Sequence, residues 1–336
     1  MKINLLFILI FFGLWSCSLN AIQKGMEICA NGKLLSVSPD TKHLLIFINK
    51  ETTIDSDYAE GWIYIYDLKK HYLRLFYPEK CVFEFVKTHW LDSENVVISD
   101  GGKIFQIDII KKKEKLIFDA KDSLLYDFAI SKDGTQMLFD ILDDTQEKAY
   151  QIVYLMYIKN NQKKEIYRID DPRMGGGFNV NYVFFGDEPQ NIYIVNMKKE
   201  LLSVSLKDNT TKTIDQDIAL DITFGGAKIV FSSGLLFYAK SMGINAYNLE
   251  SGEKIPAIKS DKEQLRFDYL GKGERGNVYI AVSDIVILYN LKDKISKKID
   301  LPIIGPIVYC NDHMAIQSVK VPKPNDNRFK LILYNL

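Results

Sequence analysis

The chain is poor in the groups that usually announce chemistry. Its 336 residues include 4 Cys and 4 His. The cysteines form no Cys-x-x-Cys pair and no His stands at ligand spacing from them, so a zinc-finger or ribbon-type metal site is excluded and no metal or other cofactor is expected. There is no Gly-x-Ser-x-Gly elbow and no His-Glu-x-x-His, which removes two common local signatures of hydrolases and metalloproteases. A charge excess of one sign is also missing. The 43 basic residues balance 43 acidic ones, and a global attraction to nucleic acid, which needs surplus Lys and Arg, is not the organising feature. The longest apolar run, Leu5 to Leu14, falls short of the roughly 20 residues that span a bilayer as a helix. What the chain does have is 47% hydrophobic against 26% charged residues, enough to bury a large core and to exclude a disordered or collagen-like chain.

The first residues read as an address. Lys2 precedes the apolar run, and Leu14-Trp15-Ser16-Cys17 follows it. This arrangement has the n-region and h-region of an export signal. The last four residues resemble a bacterial lipobox, in which a small residue precedes a cysteine that is lipidated on its thiol and becomes the new N-terminus. The resemblance implies a signal peptide over residues 1–16, lipidation at Cys17, and a cell-envelope protein facing the periplasm or the outside. Cleavage after Ala21 and an uncleaved anchor are the alternatives.

The remainder is a repeat. A strand-like phrase ending in aromatic or aliphatic, polar, then Leu or Ile recurs seven times: Tyr66-Asp67-Leu68, Ile107-Asp108-Ile109, Met156-Tyr157-Ile158, Val204-Ser205-Leu206, Tyr247-Asn248-Leu249, Tyr289-Asn290-Leu291 and Tyr334-Asn335-Leu336. The spacing averages about 45 residues, within the range for four-stranded propeller blades. Period-two alternation with β-branched and aromatic residues, as in Trp62 to Tyr66 and Val278 to Val282, marks strands rather than helices. Turns such as Ser38-Pro39-Asp40-Thr41-Lys42 and Ser131-Lys132-Asp133-Gly134-Thr135 join the strands that precede each phrase.

These turns, each followed by an apolar strand and then one like Ile63 to Leu68, resemble the repeats of TolB-like and WD40-like bacterial β-propellers. The stretch Gly234 to Ile258 is more similar to quinoprotein-type repeats. The expected fold is all-β: residues 17–336 form a single seven-bladed propeller of four-stranded antiparallel blades, with six or eight blades as alternatives. The seventh phrase stops at Leu336, so its blade lacks an outer strand. A strand within Leu19 to Ala30 is expected to cross over and complete it, since an open ring leaves an unpaired edge. That closure brings Cys29 into the blade of Cys310. Three buried thiols are the favoured reading of Cys29, Cys81 and Cys310, and Cys29 with Cys310 is the disulfide to test.

In a propeller the second-to-third-strand and blade-to-blade connections emerge on one face. The long stretches Lys50 to Gly61, Asp143 to Ala149, Asp170 to Asn179 and Lys320 to Arg328 all sort onto it, and long loops on a rigid scaffold are where binding residues concentrate. The candidate binding residues are Asp55, Asp57, Tyr58 and Glu60 in the first blade, Arg173 between the third and fourth, and Lys320, Lys323 and Arg328 in the seventh. An acidic rim beside a basic one suits a protein partner. Gly271-Lys272-Gly273-Glu274-Arg275-Gly276 matches Gly-x-Gly-x-x-Gly, but a strand follows where the nucleotide fingerprint needs a helix. The four histidines fall at scattered blade positions, and Trp62 and Trp90 read as packing between blades. The lysine-rich turns at Lys69 to Lys70, Lys111 to Lys113 and Lys163 to Lys164 read first as edge protection and second as contacts for anionic headgroups. The expected function is a monomeric, non-catalytic binding or scaffolding module with a protein partner in the envelope and no nucleic-acid partner. The alternative is a propeller enzyme, a lyase, hydrolase or quinone-dependent dehydrogenase acting on envelope carbohydrate or small molecules.

Overall fold

The apolar alternation organises the chain blade by blade. In the computed structural model, residues 25–49, 60–121, 123–143, 150–170, 181–186, 191–196, 198–221, 226–241, 243–259, 267–273, 276–282, 285–290, 294–301, 306–320 and 329–336 are described. Strand β1 is Met26–Ala30. Blade 1 follows with β2 (Gly32–Val37), β3 (His43–Ile48), β4 (Glu60–Asp67) and β5 (Tyr72–Val82), and blade 2 with β6 (Val86–Trp90), β7 (Asn95–Asp100), β8 (Lys103–Asp108) and β9 (Lys113–Asp119). Blade 3 comprises β10 (Leu124–Ile130), β11 (Gln136–Asp143), β12 (Tyr150–Tyr157) and β13 (Gln162–Asp170). Blade 4 comprises β14 (Tyr182–Phe185), β15 (Asn191–Val195), β16 (Leu201–Ser205) and β17 (Thr211–Asp215). A small hairpin, β18 (Leu220–Asp221) with β19 (Gly226–Ala227), separates it from blade 5: β20 (Ile229–Ser232), β21 (Leu235–Lys240), β22 (Gly243–Asn248) and β23 (Lys254–Lys259). Blade 6 is β24 (Tyr269–Lys272), β25 (Val278–Val282), β26 (Ile285–Asn290) and β27 (Lys294–Asp300), and blade 7 begins with β28 (Ile307–Cys310), β29 (Met314–Lys320) and β30 (Phe329–Asn335). The result is a seven-bladed β-propeller of four-stranded antiparallel sheets.

Closure occurs as expected. The fourth strand of blade 7 is β1, paired to β30 through Met26 with Leu333 and Ala30 with Lys330. The first and last described strands thereby satisfy each other's backbone groups.

Second strands explain the core. In β3, Leu45 and Phe47 pack with Val86, Trp90 and Ile98 of blade 2, while Leu44 and Ile46 pack with Ile316, Leu331 and Leu333 of blade 7. Alternate residues thus serve opposite neighbours, and a strand sandwiched on both faces must be apolar throughout. Fourth strands face water on one side, and β9 accordingly reads Lys-Glu-Lys-Leu with exposed side chains.

The recurring phrase has a mechanical basis. Its middle residue caps the turn that follows: Asp67 Oδ1 accepts from the amides of Lys69 (3.0 Å) and Lys70 (2.8 Å), Asp108 Oδ1 from Ile110 (3.0 Å) and Lys111 (2.8 Å), and Asn248 Oδ1 from Glu250 (2.9 Å) and Ser251 (3.0 Å). Such Asx turns favour Asp and Asn for this reason. The preceding turns are built likewise, with Ser131 Oγ donating to Asp133 Oδ1 at 2.6 Å and Gly134 taking a φ of 70° that Gly accepts without strain. The Gly271 to Gly276 stretch lies on β24 and its link to strand β25, so no helix N-terminus follows it.

The Cys29–Cys310 disulfide named for testing is not made. Cys29 and Cys310 do share blade 7, but on its fourth and first strands. Three inter-strand steps amount to about 14 Å, beyond the reach of a disulfide. Cys29, Cys81 and Cys310 are free thiols, and burial pushes Cys29 and Cys81 up to about 12.

Candidate functional site

The two faces of the ring differ in the chain they carry. On one face, the turns between first and second strands and between third and fourth strands are short, none longer than the stretch 38–42 that joins β2 to β3. On the opposite face the strand ends are joined through longer stretches of chain: 49–59 between β3 and β4, 171–181 between β13 and β14, 216–228 between β17 and β20, 260–268 between β23 and β24, and 321–328 between β29 and β30. Strand ends trim the expected loops slightly: β4 already includes Glu60, β11 reaches Asp143, β13 reaches Asp170 and β29 reaches Lys320.

Of the candidate binding residues, Glu60 and Lys320 fall within strands on this long-loop face. Glu60 is exposed and ion-paired with Lys80 of β5, so part of its charge is met within its own blade. Asp55, Asp57, Tyr58, Arg173, Lys323 and Arg328 lie outside the described residues, as does Cys17. Trp90 packs between blades 1 and 2 as expected, its Nε1 donating to Ser36 Oγ at 3.1 Å, and that hydroxyl lies 2.7 Å from Thr88 Oγ1.

Sequence reasoning missed the carboxyl pair between blades 3 and 4. Asp127 of β10 and Asp140 of β11 are direct cross-strand partners, so their side chains share one face of the sheet. Asp140 is fully buried. Its Oδ2 accepts from the Asn181 amide at 3.0 Å and from Gln151 Nε2, and its Oδ1 accepts from Asn181 Nδ2 at 3.1 Å. Asp127 is half-buried on the inner strand, with Oδ2 accepting from the Val183 amide at 2.9 Å. Burial raises Asp140 to about 8 despite those donors, with the charge of Asp127 adding to the rise. Burial likewise raises Asp127 to about 6 against the opposing charge of Lys87. Buried Asn181 Oδ1 has no hydrogen-bond partner; a protonated Asp140 supplies one if the Asn181 amide is turned over.

A second, mostly covered carboxylate behaves oppositely. Asp215, at the end of β17, accepts from Tyr238 OH at 2.7 Å, from Lys240 Nζ at 3.1 Å and from the Gln216 amide at 2.9 Å, bridging blades 4 and 5. Burial raises its pKa, but the Tyr238, Gln216 and Lys240 bonds outweigh it and hold the group at about 2.

The ring closure assembles a third feature. An open cleft of about 490 Å³ lies at the seam of blades 7 and 1 on the short-turn face, lined by Thr41, Leu68 and His71 from one side and His313, Met314 and Leu333 from the other. His71 Nδ1 lies 3.2 Å from Tyr66 OH. The two histidines are far apart in sequence, and only the seventh-blade closure, combined with their common location in short turns, foretells that both line this cleft. His89, on inner strand β6, has its pKa lowered by burial.

Comparison with known proteins reaches the fold. No family model and no curated protein matches the chain. Among solved structures, an oligogalacturonate lyase in complex with manganese is similar with a TM-score of 0.59 at 10% identity, over 93% of this chain and 98% of that one. An oligogalacturonate lyase from Vibrio parahaemolyticus has a TM-score of 0.62 at 10% identity, over 95% and 94%. Dipeptidyl peptidase 4 of Porphyromonas gingivalis has a TM-score of 0.54 at 14% identity, over 91% of this chain but 50% of its own. Among the described residues no three His, Cys, Asp or Glu side chains gather as a metal site. Asp140 is moreover wrapped by N–H donors that a cation would have to displace. At such identities the likeness carries the architecture, a seven-bladed propeller, and leaves activity to the site.

Proposed function

We propose that the chain is an exported binding module, lipid-anchored through Cys17, which holds a protein partner of the cell envelope on the long-loop face of a rigid, monomeric propeller. The observation that carries this reading is the division of connections between the faces: every long stretch emerges on one side of the ring. Fixed scaffolds that concentrate chain length on one face do so where recognition residues are needed. The buried carboxyls fit the same reading, because Asp140 and Asp215 are committed to hydrogen bonds across blade boundaries and so serve rigidity.

The test replaces 49–59, 171–181 and 321–328 together by short turns and compares photo-crosslinking of the two proteins in the native envelope. The expected result is a discrete adduct with the parent and none with the variant; equal adducts from both overturn the face assignment. Incorporation of labelled palmitate, abolished by Cys17→Ser, checks the anchor.

The likeness to two oligogalacturonate lyases favours a second reading, in which the propeller cleaves an acidic oligosaccharide. Half-buried Asp127, lifted to about 6, is the described group best suited to proton transfer near neutrality. Unsaturated product from polygalacturonate, lost in Asp127→Asn, would establish this reading in place of the first.

A further inference from the structure

We propose that the short-turn face of blades 1 to 3 is a docking surface for an anionic lipid bilayer. Large apolar side chains stand exposed beside the third-to-fourth-strand turns of these consecutive blades: Tyr72 is 59% exposed, Ile110 64% and Tyr157 45%. Around them lie exposed lysines, Lys69 and Lys70 in blade 1, Lys111 to Lys113 in blade 2, and Lys159 and Lys163 in blade 3. The acids on the first two turns, Asp67 and Asp108, are engaged with turn amides and with Lys70 and Lys111. The first-to-second-strand turns of these blades also carry acids, of which Asp40 is ion-paired with Lys42 and Asp92 and Asp133 accept from their own turn amides, while Glu94 of blade 2 stays exposed and the blade 5 turn carries Glu250 and Glu253.

A soluble polyanion would be met by lysines alone. Aromatic and aliphatic tips interleaved with lysines match the bilayer interface, where apolar side chains enter the headgroup boundary and cations meet anionic lipid. The strand directions agree. Strand β30 runs toward the short-turn face, ending at Asn335, and β1 is antiparallel to it, with Met26 opposite Leu333 and Ala30 opposite Lys330. The chain therefore enters the ring from the short-turn side. Residues 17 to 26 span at most about 30 Å however they are arranged, so an anchor at Cys17 holds this face toward the membrane and the long loops away from it. Only that orientation argument rests on the anchor reading; the surface stands on the described side chains.

Every described strand of the ring lies within Met26–Asn335, so a chain of residues 18–336, without lipid, retains the fold for the test. Its co-sedimentation is measured with vesicles of phosphatidylethanolamine containing about one quarter phosphatidylglycerol, and with phosphatidylcholine vesicles. Binding is expected to the first and not the second. Lys69→Glu, Lys113→Glu and Lys159→Glu combined should weaken it about 100-fold. A matched reversal on the opposite face, Lys103→Glu, Lys121→Glu and Lys198→Glu, should change it by less than about threefold. Combined Tyr72→Ser, Ile110→Ser and Tyr157→Ser should lose about tenfold, a loss that persists at high salt. Circular dichroism confirms that each variant is folded. Absence of binding by the parent, equal binding by the two charge variants, or retention on soluble polygalacturonate in place of vesicles would overturn the proposal. Failure of palmitate labelling on the full chain would remove the anchor and leave the vesicle result to decide the surface.

Discussion

Asp140, at the boundary of blades 3 and 4, and Asp215, at the boundary of blades 4 and 5, do the same mechanical task with opposite electrostatics. Each carboxyl accepts three or more hydrogen bonds, most of them across the boundary or along the sheet beside it. Asp140 is fully buried and receives only amide donors, which cannot offset the cost of a charge removed from water. Asp215 lies 11% exposed beside Lys240 and receives a phenol and an ammonium, so its charge is matched and the proton is released. The lesson is that donor count alone does not set protonation. The charge on the donors and the access of water decide it.

The largest effect expected from breaking this comparison is at Asp140. Asp140→Ala strands the Asn181 amide, Asn181 Nδ2 and Gln151 Nε2 in a fully buried interface, and at about 1–3 kcal/mol for each unsatisfied group the loss should approach about 4 kcal/mol. Urea unfolding should show a lower midpoint with an unchanged slope. A loss under about 1 kcal/mol would mean that water enters and satisfies those groups.

Asp215→Ala should cost somewhat less, about 2–3 kcal/mol. It removes the acceptor of the hydroxyl of fully buried Tyr238, which keeps its bond with Asn245, while Lys240, 24% exposed, can turn to water. Lys254 also contacts Asp215, at 3.5 Å, but is half exposed, so its contribution falls among the weak surface pairs. The same unfolding measurement ranks the two aspartates, and a larger loss at Asp215 would reverse the comparison.

The difference in legibility between the two sites is also physical. The phrase Tyr66-Asp67-Leu68 is visible in sequence because its Asp bonds to amides two and three residues on, a local act repeated in other blades. Strand closure was legible because an open ring leaves an edge that something must cover, and β1 covers it. By contrast, Asp140 meets Asn181 across 41 residues, and Asp215 meets Tyr238 across 23. Neither partnership leaves a mark in local spacing, and Asp127 and Asp140 look like ordinary strand polar residues until the neighbouring blade is in place. His71 and His313 line one cleft only through closure. The β18–β19 hairpin went unread because two-residue strands carry no periodicity. Cys29 and Cys310 were assigned to the right blade, but the alternation that locates a strand does not give its distance from the axis.

The smallest expected effect is the most specific, because it separates the two aspartates by pH. A carboxyl whose folded pKa of about 8 exceeds the unfolded value holds its proton more tightly in the folded chain, as Asp140 does. Its stabilising contribution is complete below the unfolded pKa of about 3.9 and is withdrawn as pH rises through about 8. Asp127, at about 6, acts in the same direction. Asp215, at about 2, contributes fully above pH 4 and loses its contribution only as pH falls toward 2. Between pH 5 and 9, therefore, Asp215 is silent and the carboxyl pair makes the protein progressively less stable, by several degrees in Tm. Asp140→Asn removes the ionisation while keeping the shape: its oxygen retains the Gln151 and Asn181 amide donors, and its NH2 donates to Asn181 Oδ1 once that amide is turned over. The variant should melt close to the parent at pH 5 and above it at pH 9, with Asp127 supplying the slope that remains. Parallel melting profiles for the two proteins across this range would place the titration outside the blade 3–4 boundary, and Asp140 would then be charged like Asp215.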